Sequence, residues 1–284
     1  MSEGAATVIA DPAAMSAWSE EARAAGRRIA FVPTMGALHA GHVALLEAGR
    51  RLADHLVLSI FVNPTQFGPR EDLDRYPRDL PGDLAKARAA GVDVAFVPER
   101  AAMYPAGHQT TVQVHELEQG MCGAGRPGHF VGVATVVCKL FNVVRPHLAI
   151  FGEKDFQQLA VIRRMVRDLD MPVRIIGEPT VREPDGLAMS SRNTFLSAQE
   201  RVRALSISGA LGEARRRHLA GQRDAAVLIA GVRDLLEPAV DRVEYVELRG
   251  ADDLQPLPVV DRPAVLAVAV FVGKTRLIDN VRLD

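Results

Sequence analysis

The sequence predicts a doubly wound, Rossmann-like α/β domain with a parallel sheet, followed by a smaller α+β domain. Three observations carry that expectation. Short apolar, β-rich runs alternate with amphipathic helical stretches through residues 1–184. Those runs have few polar interruptions, as strands covered on both faces require. Beyond Pro184-Asp185-Gly186 the order changes to two helices followed by two β-rich runs. The chain has 284 residues, and at ~150 residues per domain two domains are expected. The boundary is placed at 184, giving domains 1–184 and 185–284, the second acting as a lid.

Each element has a local signal. Asp11-Pro12 supplies a cap and a first-turn proline for a helix that Gly26 ends. Residues 29–32 read as a buried strand, followed by a glycine-containing loop and a helix over 42–53. A strand at 56–62, a helix at 80–90 stopped by Gly91 and a strand at 94–97 come next. A long apolar helix at 131–144 leads through Pro146 to a strand at 147–151. Residues 157–169 are helical, and 173–176 form a further strand. Ser197-Ala198-Gln199-Glu200 fits a capping box opening a basic helix to about 219. A helix at 226–236 and β-rich runs at 243–248 and 265–272 close the chain, which shows no internal repeat. In a doubly wound sheet, ligands are expected at the carboxyl ends of the strands.

Composition narrows the function classes. Apolar residues make up 48% and charged residues 24% of the chain, which excludes a disordered chain. The net charge of −1 argues against binding nucleic acid over a broad basic face. Cys122 and Cys138 form neither metal-ligand spacing nor a disulfide framework, which fits a reducing, cytoplasmic setting. The longest apolar runs, such as 264–272, are too short to span a bilayer. Glu3, Asp11, Glu20 and Glu21 stand where an export leader would be basic and then apolar, so no leader and no membrane partner are expected.

Several clusters carry potential chemistry. The expected strand at 29–32 runs into Pro33-Thr34-Met35-Gly36-Ala37-Leu38-His39-Ala40-Gly41-His42. Gly41 lets the helix N-terminus approach a ligand closely, and free amides there suit a phosphate. Imidazoles beside them can donate to phosphate oxygens as negative charge shifts. A plain βα loop with incidental histidines fits the same residues. Zinc fits less well, because such pairs sit four apart in a helix with a Glu between, and no third ligand is apparent. Gly152-Glu153-Lys154-Asp155-Phe156-Gln157-Gln158 also follows a strand, where a lysine neutralises phosphate or simply sits in a solvated turn. Met189-Ser190-Ser191-Arg192 is either a mobile clamp for a triphosphate or a polar linker. Gln66, in Asn63-Pro64-Thr65-Gln66-Phe67, offers an amide that donates and accepts at once. Arg126, in Arg126-Pro127-Gly128-His129-Phe130, offers a cation, although a helix-entry turn looks similar.

PTMGALHAGH, FVNPTQF, RPGHF, FGEKDFQQL and REPDGLAMSSRN stand in this order between Pro33 and Asn193. With them the chain resembles the pantothenate synthetase (pantoate–β-alanine ligase) family, nucleotidyltransferases with a His-x-Gly-His loop. GKTRLIDN, from Gly273 to Asn280, resembles the family's ending. The resemblance implies ATP lying across Met35, Gly36, Ala37, Leu38, His39, Ala40, Gly41 and His42, with His42 the catalytic proton donor. It also implies nucleotide contacts at Gly152, Glu153, Lys154, Asp155, Val181, Met189, Ser190, Ser191 and Arg192. Gln66 and Gln158 match the pantoate-reading glutamines, Gln66 also touching β-alanine, and Arg126 transfers to the nucleotide or pantoate pocket. The implied reaction joins pantoate to β-alanine through pantoyl adenylate, releasing pyrophosphate and AMP, in a cytoplasmic homodimer of the coenzyme A pathway. Magnesium is expected with ATP, and no protein ligand is assigned to it. The alternative is a nucleotidyltransferase of the same fold acting on another small substrate. A tRNA synthetase sits poorly with a short chain lacking a basic surplus, and a nucleotide sensor would bind ATP without turnover.

Overall fold

The computed structural model describes residues 6–69 and 73–284; Glu3 lies outside the described residues. In chain order come β1 (Thr7–Ile9), α1 (Pro12–Ala24), β2 (Ile29–Thr34), α2 (Ala40–Leu52) and β3 (His55–Ile60). Then follow α3 (Leu80–Ala89), β4 (Val94–Phe96), α4 (Arg100–Met103), α5 (Met121–Gly125) and α6 (His129–Val144). Next are β5 (Leu148–Gly152), α7 (Phe156–Asp168) and β6 (Arg174–Glu178). The chain ends with α8 (Ala198–Leu219), α9 (Ala225–Leu236), β7 (Arg242–Gly250), β8 (Ala264–Val272) and β9 (Thr275–Leu283). Short 3₁₀ turns cover Pro64–Gln66, Leu73–Arg75, Glu153–Asp155 and Ser191–Phe195.

These elements form two compact units. One runs through Val114 and takes in Arg126–Glu153 and Val161–Pro179; the other joins His115–Gly125 and Lys154–Ala160 to Thr180–Asp284. A single cut at 184 assigns those two short segments differently. Met121 N donates to Glu247 Oε1 at 3.0 Å and Asn280 Nδ2 donates to Lys154 O at 2.9 Å, tying both segments to Thr180–Asp284, while a buried amide ties them to each other. Gln157 is 3% exposed, accepts from Cys122 N at 2.9 Å and donates to Leu117 O at 3.0 Å and Gly120 O at 3.2 Å.

In the first unit all six strands are parallel, in the order β1-β4-β3-β2-β5-β6. Alternate residues point to opposite faces, so Ala30 and Val32 of β2 join Leu56, Leu58, Leu148 and Ile150 under Leu45, Leu46 and Ala48 of α2. Phe31, on the other face, meets Phe141 of α6 edge-to-face with ring centroids 6.3 Å apart. Helices therefore cover both faces, as the uninterrupted apolar strands require. Asp11 caps α1 by accepting from Ala14 N at 2.8 Å, as expected.

The second unit has an antiparallel sheet ordered β7-β8-β9. The sequence predicts two closing β-rich runs, whereas the structure has a third strand, β9. Its alternation is masked because Asp279 and Asn280 are buried side by side. Gly273-Lys274 forms the two-residue loop between β8 and β9, Gly273 taking φ +59° at the first central position. Leu266, Val268, Val270 and Val272 of β8 pack with Ile207, Leu211 and Leu228 of α8 and α9, while α5 packs against β7 and β8. Ser197 and Glu200 cap α8 reciprocally.

His147, just before β5, tests one of the joins in the first unit. Its Nδ1 accepts from Ile29 N at 3.0 Å, and Arg23 Nη1 lies 3.2 Å from Nε2. Burial, then the charges of Arg23 and Arg28, hold its pKa below the ordinary value, with Asp54 opposing. A ring whose folded pKa is depressed contributes stability that is full above the unfolded value of ~6.5 and is lost as pH falls through the folded value. His147→Asn keeps an acceptor for Ile29 N and does not titrate. The melting temperature should fall more steeply from pH 7.5 to 5 in the parent than in His147→Asn. Equal slopes would show that the ring does not titrate against the fold.

Candidate active site

The strand order places a switch point between β2 and β5, since β3, β4 and β1 lie to one side of β2 and β6 lies beyond β5. Chains leaving such neighbouring strands diverge to opposite faces and leave room for a ligand at their carboxyl ends. The His-x-Gly-His loop follows β2, and Gly152 ends β5, with Glu153 opening the 3₁₀ turn after it.

Between β2 and α2 the chain has many amides and few backbone partners, and side chains supply them. Gly36 N donates to Thr34 Oγ1 at 3.2 Å. Ala37 N and Leu38 N donate to Asp83 of α3 at 2.9 and 2.6 Å. At the start of α2, Gly41 N donates to His39 Nδ1 at 3.1 Å and His39 N donates to His42 Nδ1 at 3.3 Å, a capping box built from two imidazoles. The rings lie 4.1 Å apart, tilted by 36°. Of the amides expected to be free at the start of α2, that of Gly41 is engaged within the protein, as are the four loop amides at Gly36, Ala37, Leu38 and His39 that precede the helix. An accepting Nδ1 puts the ring proton on Nε2, so each neutral imidazole is a donor through Nε2.

Gln66 lies at the end of the 3₁₀ turn after β3 and is 8% exposed. Its amide oxygen accepts from Asn63 Nδ2 at 3.0 Å, and its nitrogen faces Met35 Sδ at 3.2 Å. Asn63 is held in turn by Gly132 O at 3.1 Å and the Tyr104 hydroxyl at 2.8 Å. Gly132 of α6 permits this approach, since a Cβ there would lie 2.5 Å from Thr65 O. Arg126 Nη1 is 3.0 Å from His129 Nε2, and His129 Nδ1 is 2.8 Å from Gln66 O. The first unit thus joins Met35, Gln66 and Arg126 in one set of contacts, with His39 and His42 paired beside α2.

In the second unit, Lys154 is half-buried and its backbone oxygen accepts from Asn280 Nδ2 at 2.9 Å. Gln158 is half-buried in the first turn of α7, next to the fully engaged Gln157. Val181 and Met189 face each other across a short hairpin, Met189 N donating to Val181 O at 3.0 Å. Glu183 anchors the chain beyond this hairpin, accepting from Asn193 Nδ2 at 2.6 Å and from Arg201 Nη2. Burial raises the Glu183 carboxyl, but the Arg201 and Asn193 hydrogen bonds outweigh it and keep its pKa below the usual range. Ser190 caps the 3₁₀ turn at Ser191–Phe195, accepting from Arg192 N at 3.3 Å.

The chain matches the family model described as Pantoate-beta-alanine ligase over residues 7–282. The chain belongs to the pantoate-beta-alanine ligase family. It is 58% identical over 283 residues to the pantothenate synthetase of Anaeromyxobacter dehalogenans, covering 97% of this chain and 98% of that one. The crystal structure of pantothenate synthetase from Thermus thermophilus aligns at TM-score 0.91 and 45% identity, covering 97% and 98% of the two chains. A pantoate-beta-alanine ligase from Francisella tularensis, complexed with beta-gamma ATP and beta-alanine, aligns at TM-score 0.82 and 32% identity, covering 98% and 97%.

In this ligase the residues missed at the sequence level are supports for the motif residues. Asp83 lies outside every motif; Asn63, His129, Gln157, Glu183 and Asn280 stand inside the motif stretches, but their supporting roles have no local signature, because each acts on a partner brought near by folding. No three His, Cys, Asp or Glu side chains come together as a metal cage among the described residues.

Asp83 is 1% exposed and serves two amides with one carboxylate. Asp83→Asn keeps one carbonyl acceptor and turns an NH₂ toward the other amide. It should cost ~1–3 kcal/mol of stability in urea unfolding and speed hydrogen exchange at Ala37 and Leu38. Unchanged exchange there would show that the loop holds its shape without the carboxylate.

Proposed function

We propose that this chain, a ligase by family, joins pantoate to β-alanine in two steps, the first at the His-x-Gly-His loop. Pantoate's carboxylate attacks the α-phosphorus of ATP, forming pantoyl adenylate and releasing pyrophosphate. The amine of β-alanine then attacks the acyl carbon, forming pantothenate and releasing AMP. A free carboxylate is a poor acyl donor, and adenylation supplies the leaving group, so no protein nucleophile is needed. The observation that carries this reading is the reciprocal imidazole cap at α2, which makes both histidines Nε2–H donors suited to phosphate oxygens that gain charge.

In this reading Met35–His42, Gly152–Asp155, Val181 and Met189–Arg192 bind the nucleotide. His42 is the catalytic donor, and Lys154 neutralises charge moving onto the departing pyrophosphate. Gln66 and Gln158 read pantoate, and Arg126 belongs to the same pocket. The Francisella relative, named as complexed with beta-gamma ATP and beta-alanine, supports both of those substrates. Magnesium enters with ATP. A cytoplasmic, homodimeric enzyme is part of the proposal; Cys122 and Cys138, both free thiols, suit a reducing compartment. No helix among the described residues is long and apolar enough to cross a membrane.

With ATP, pantoate and β-alanine, chromatography should find AMP and pyrophosphate in equal amounts. ADP and phosphate would mean an acyl-phosphate route and would overturn the adenylate.

His42→Asn separates the two duties of the ring. Its carbonyl can still accept from His39 N, so the melting temperature should stay close to that of the parent, while the Nε2–H donor is gone. Adenylation should slow on the order of 10²-fold. The second step, fed with synthetic pantoyl adenylate and β-alanine, should change far less because no pyrophosphate leaves there. Adenylation at the parent rate in a folded variant would remove His42 from the chemistry.

A further inference from the structure

We propose that His129 is a positioning residue for the pantoate-reading glutamine, Gln66, and that it works as the neutral ring protonated on Nδ1. The proposal rests on the assignment of Gln66 to pantoate made above. Its geometry is independent of that assignment.

His129 is the first residue of α6 and is 9% exposed. Its Nδ1 lies 2.8 Å from Gln66 O, and a carbonyl oxygen only accepts, so Nδ1 must carry a proton. Its Nε2 lies 3.0 Å from Arg126 Nη1, and a guanidinium only donates, so Nε2 must be bare. The two contacts together allow one state, the neutral Nδ1–H tautomer. Protonating Nε2 would set two N–H groups and two positive charges against each other. The same ring therefore ties the backbone of Gln66 to the Arg126 guanidinium, whose Nη2 also reaches Gln66 O at 3.4 Å.

Gln66 is consequently held from two sides. Asn63 orients its side-chain oxygen at 3.0 Å, and His129 holds the peptide from which that side chain springs. Gly132, one turn along α6 from His129, is where the 3₁₀ turn carrying Gln66 presses onto the helix. Loosening the peptide changes where the amide points; the amide meets the histidine loop at Met35 Sδ, but the backbone amides of that loop keep their own supports in Asp83 and the imidazole cap. His129 should thus affect pantoate selectively, where a residue supporting only the fold would affect every substrate or none.

The variants are chosen by reach. His129→Asn places an amide nitrogen near the Nδ1 position and can still donate to Gln66 O. His129→Gln places its carbonyl near the Nε2 position and serves Arg126 instead. His129→Ala and His129→Gln should raise KM for pantoate ~10-fold or more, the loss of one buried hydrogen bond. KM for ATP should stay within about twofold, and His129→Asn should recover most of the pantoate defect. In the parent enzyme, ¹⁵N ring spectra should contain an Nδ1–H histidine that disappears in His129→Asn, against Nε2–H rings at His39 and His42. An Nε2–H or doubly protonated His129, or equal rises in both KM values, would overturn the proposal. So would His129→Gln matching His129→Asn. If the parent does not consume pantoate at all, the functional reading fails, and the ring spectra still decide the His129 tautomer.

Discussion

Backbone amides stripped of water must find acceptors, and that requirement shapes this molecule where β2 ends. A parallel sheet delivers all its carboxyl ends to one edge, and at its switch point the chain must turn from strand to helix in a few residues. In the stretch from Gly36 to Gly41 no ladder or helix supplies acceptors for the first amides. Thr34, Asp83, His39 and His42 supply them instead. The histidines that suit a phosphate are therefore also the caps of α2. Using Nδ1 for the cap commits Nε2–H to donation, so the structural duty of each ring sets its chemical one.

The same economy recurs around Gln66. An amide side chain is ambiguous, able to turn over and exchange donor for acceptor. Asn63 removes the ambiguity by donating to the oxygen, and Asn63 is itself held by Tyr104 and Gly132 O. The close approach of the Thr65–Gln66 backbone to α6 depends on a missing side chain at Gly132, a steric condition with an electrostatic result.

In the second unit, buried charge performs the equivalent role. Arg182 Nη1 and Nη2 reach the two carboxylate oxygens of Asp279 at 2.7 and 3.1 Å, and the Asp279 side chain is 2% exposed. Removing one partner of such a pair leaves an uncompensated charge, which costs more than the pair itself contributes. With Glu183, Asp185 and Arg201 this fixes the hairpin that leads into Met189–Arg192. Asn280, next to Asp279, holds the backbone of Lys154. The polar Asp279-Asn280 step that hides β9 from a reading by alternation is therefore the step that braces both Lys154 and the hairpin leading into Met189–Arg192.

By itself the sequence determined the local energies. Asp11 and Pro12 start α1, Ser197 and Glu200 cap α8, and uninterrupted apolar runs become strands covered on both faces. These depend on neighbours within a few residues and are legible as patterns. The motif residues were legible too, since His39, His42, Gln66, Lys154 and Met189–Arg192 stand in runs whose residue types suit phosphates and carboxylates. Tertiary structure alone decided the partners of those residues. Asp83 is 45 positions from Leu38, His129 is 63 from Gln66, and Arg182 is 97 from Asp279. It likewise placed His115–Gly125 and Lys154–Ala160 in the second unit, Gln157 joining the two segments to each other and Glu247 and Asn280 joining them to the rest. A buried polar group has to be satisfied wherever folding leaves it, and its partner is chosen by the approach of whole helices and strands. That approach has no signature in the residues on either side.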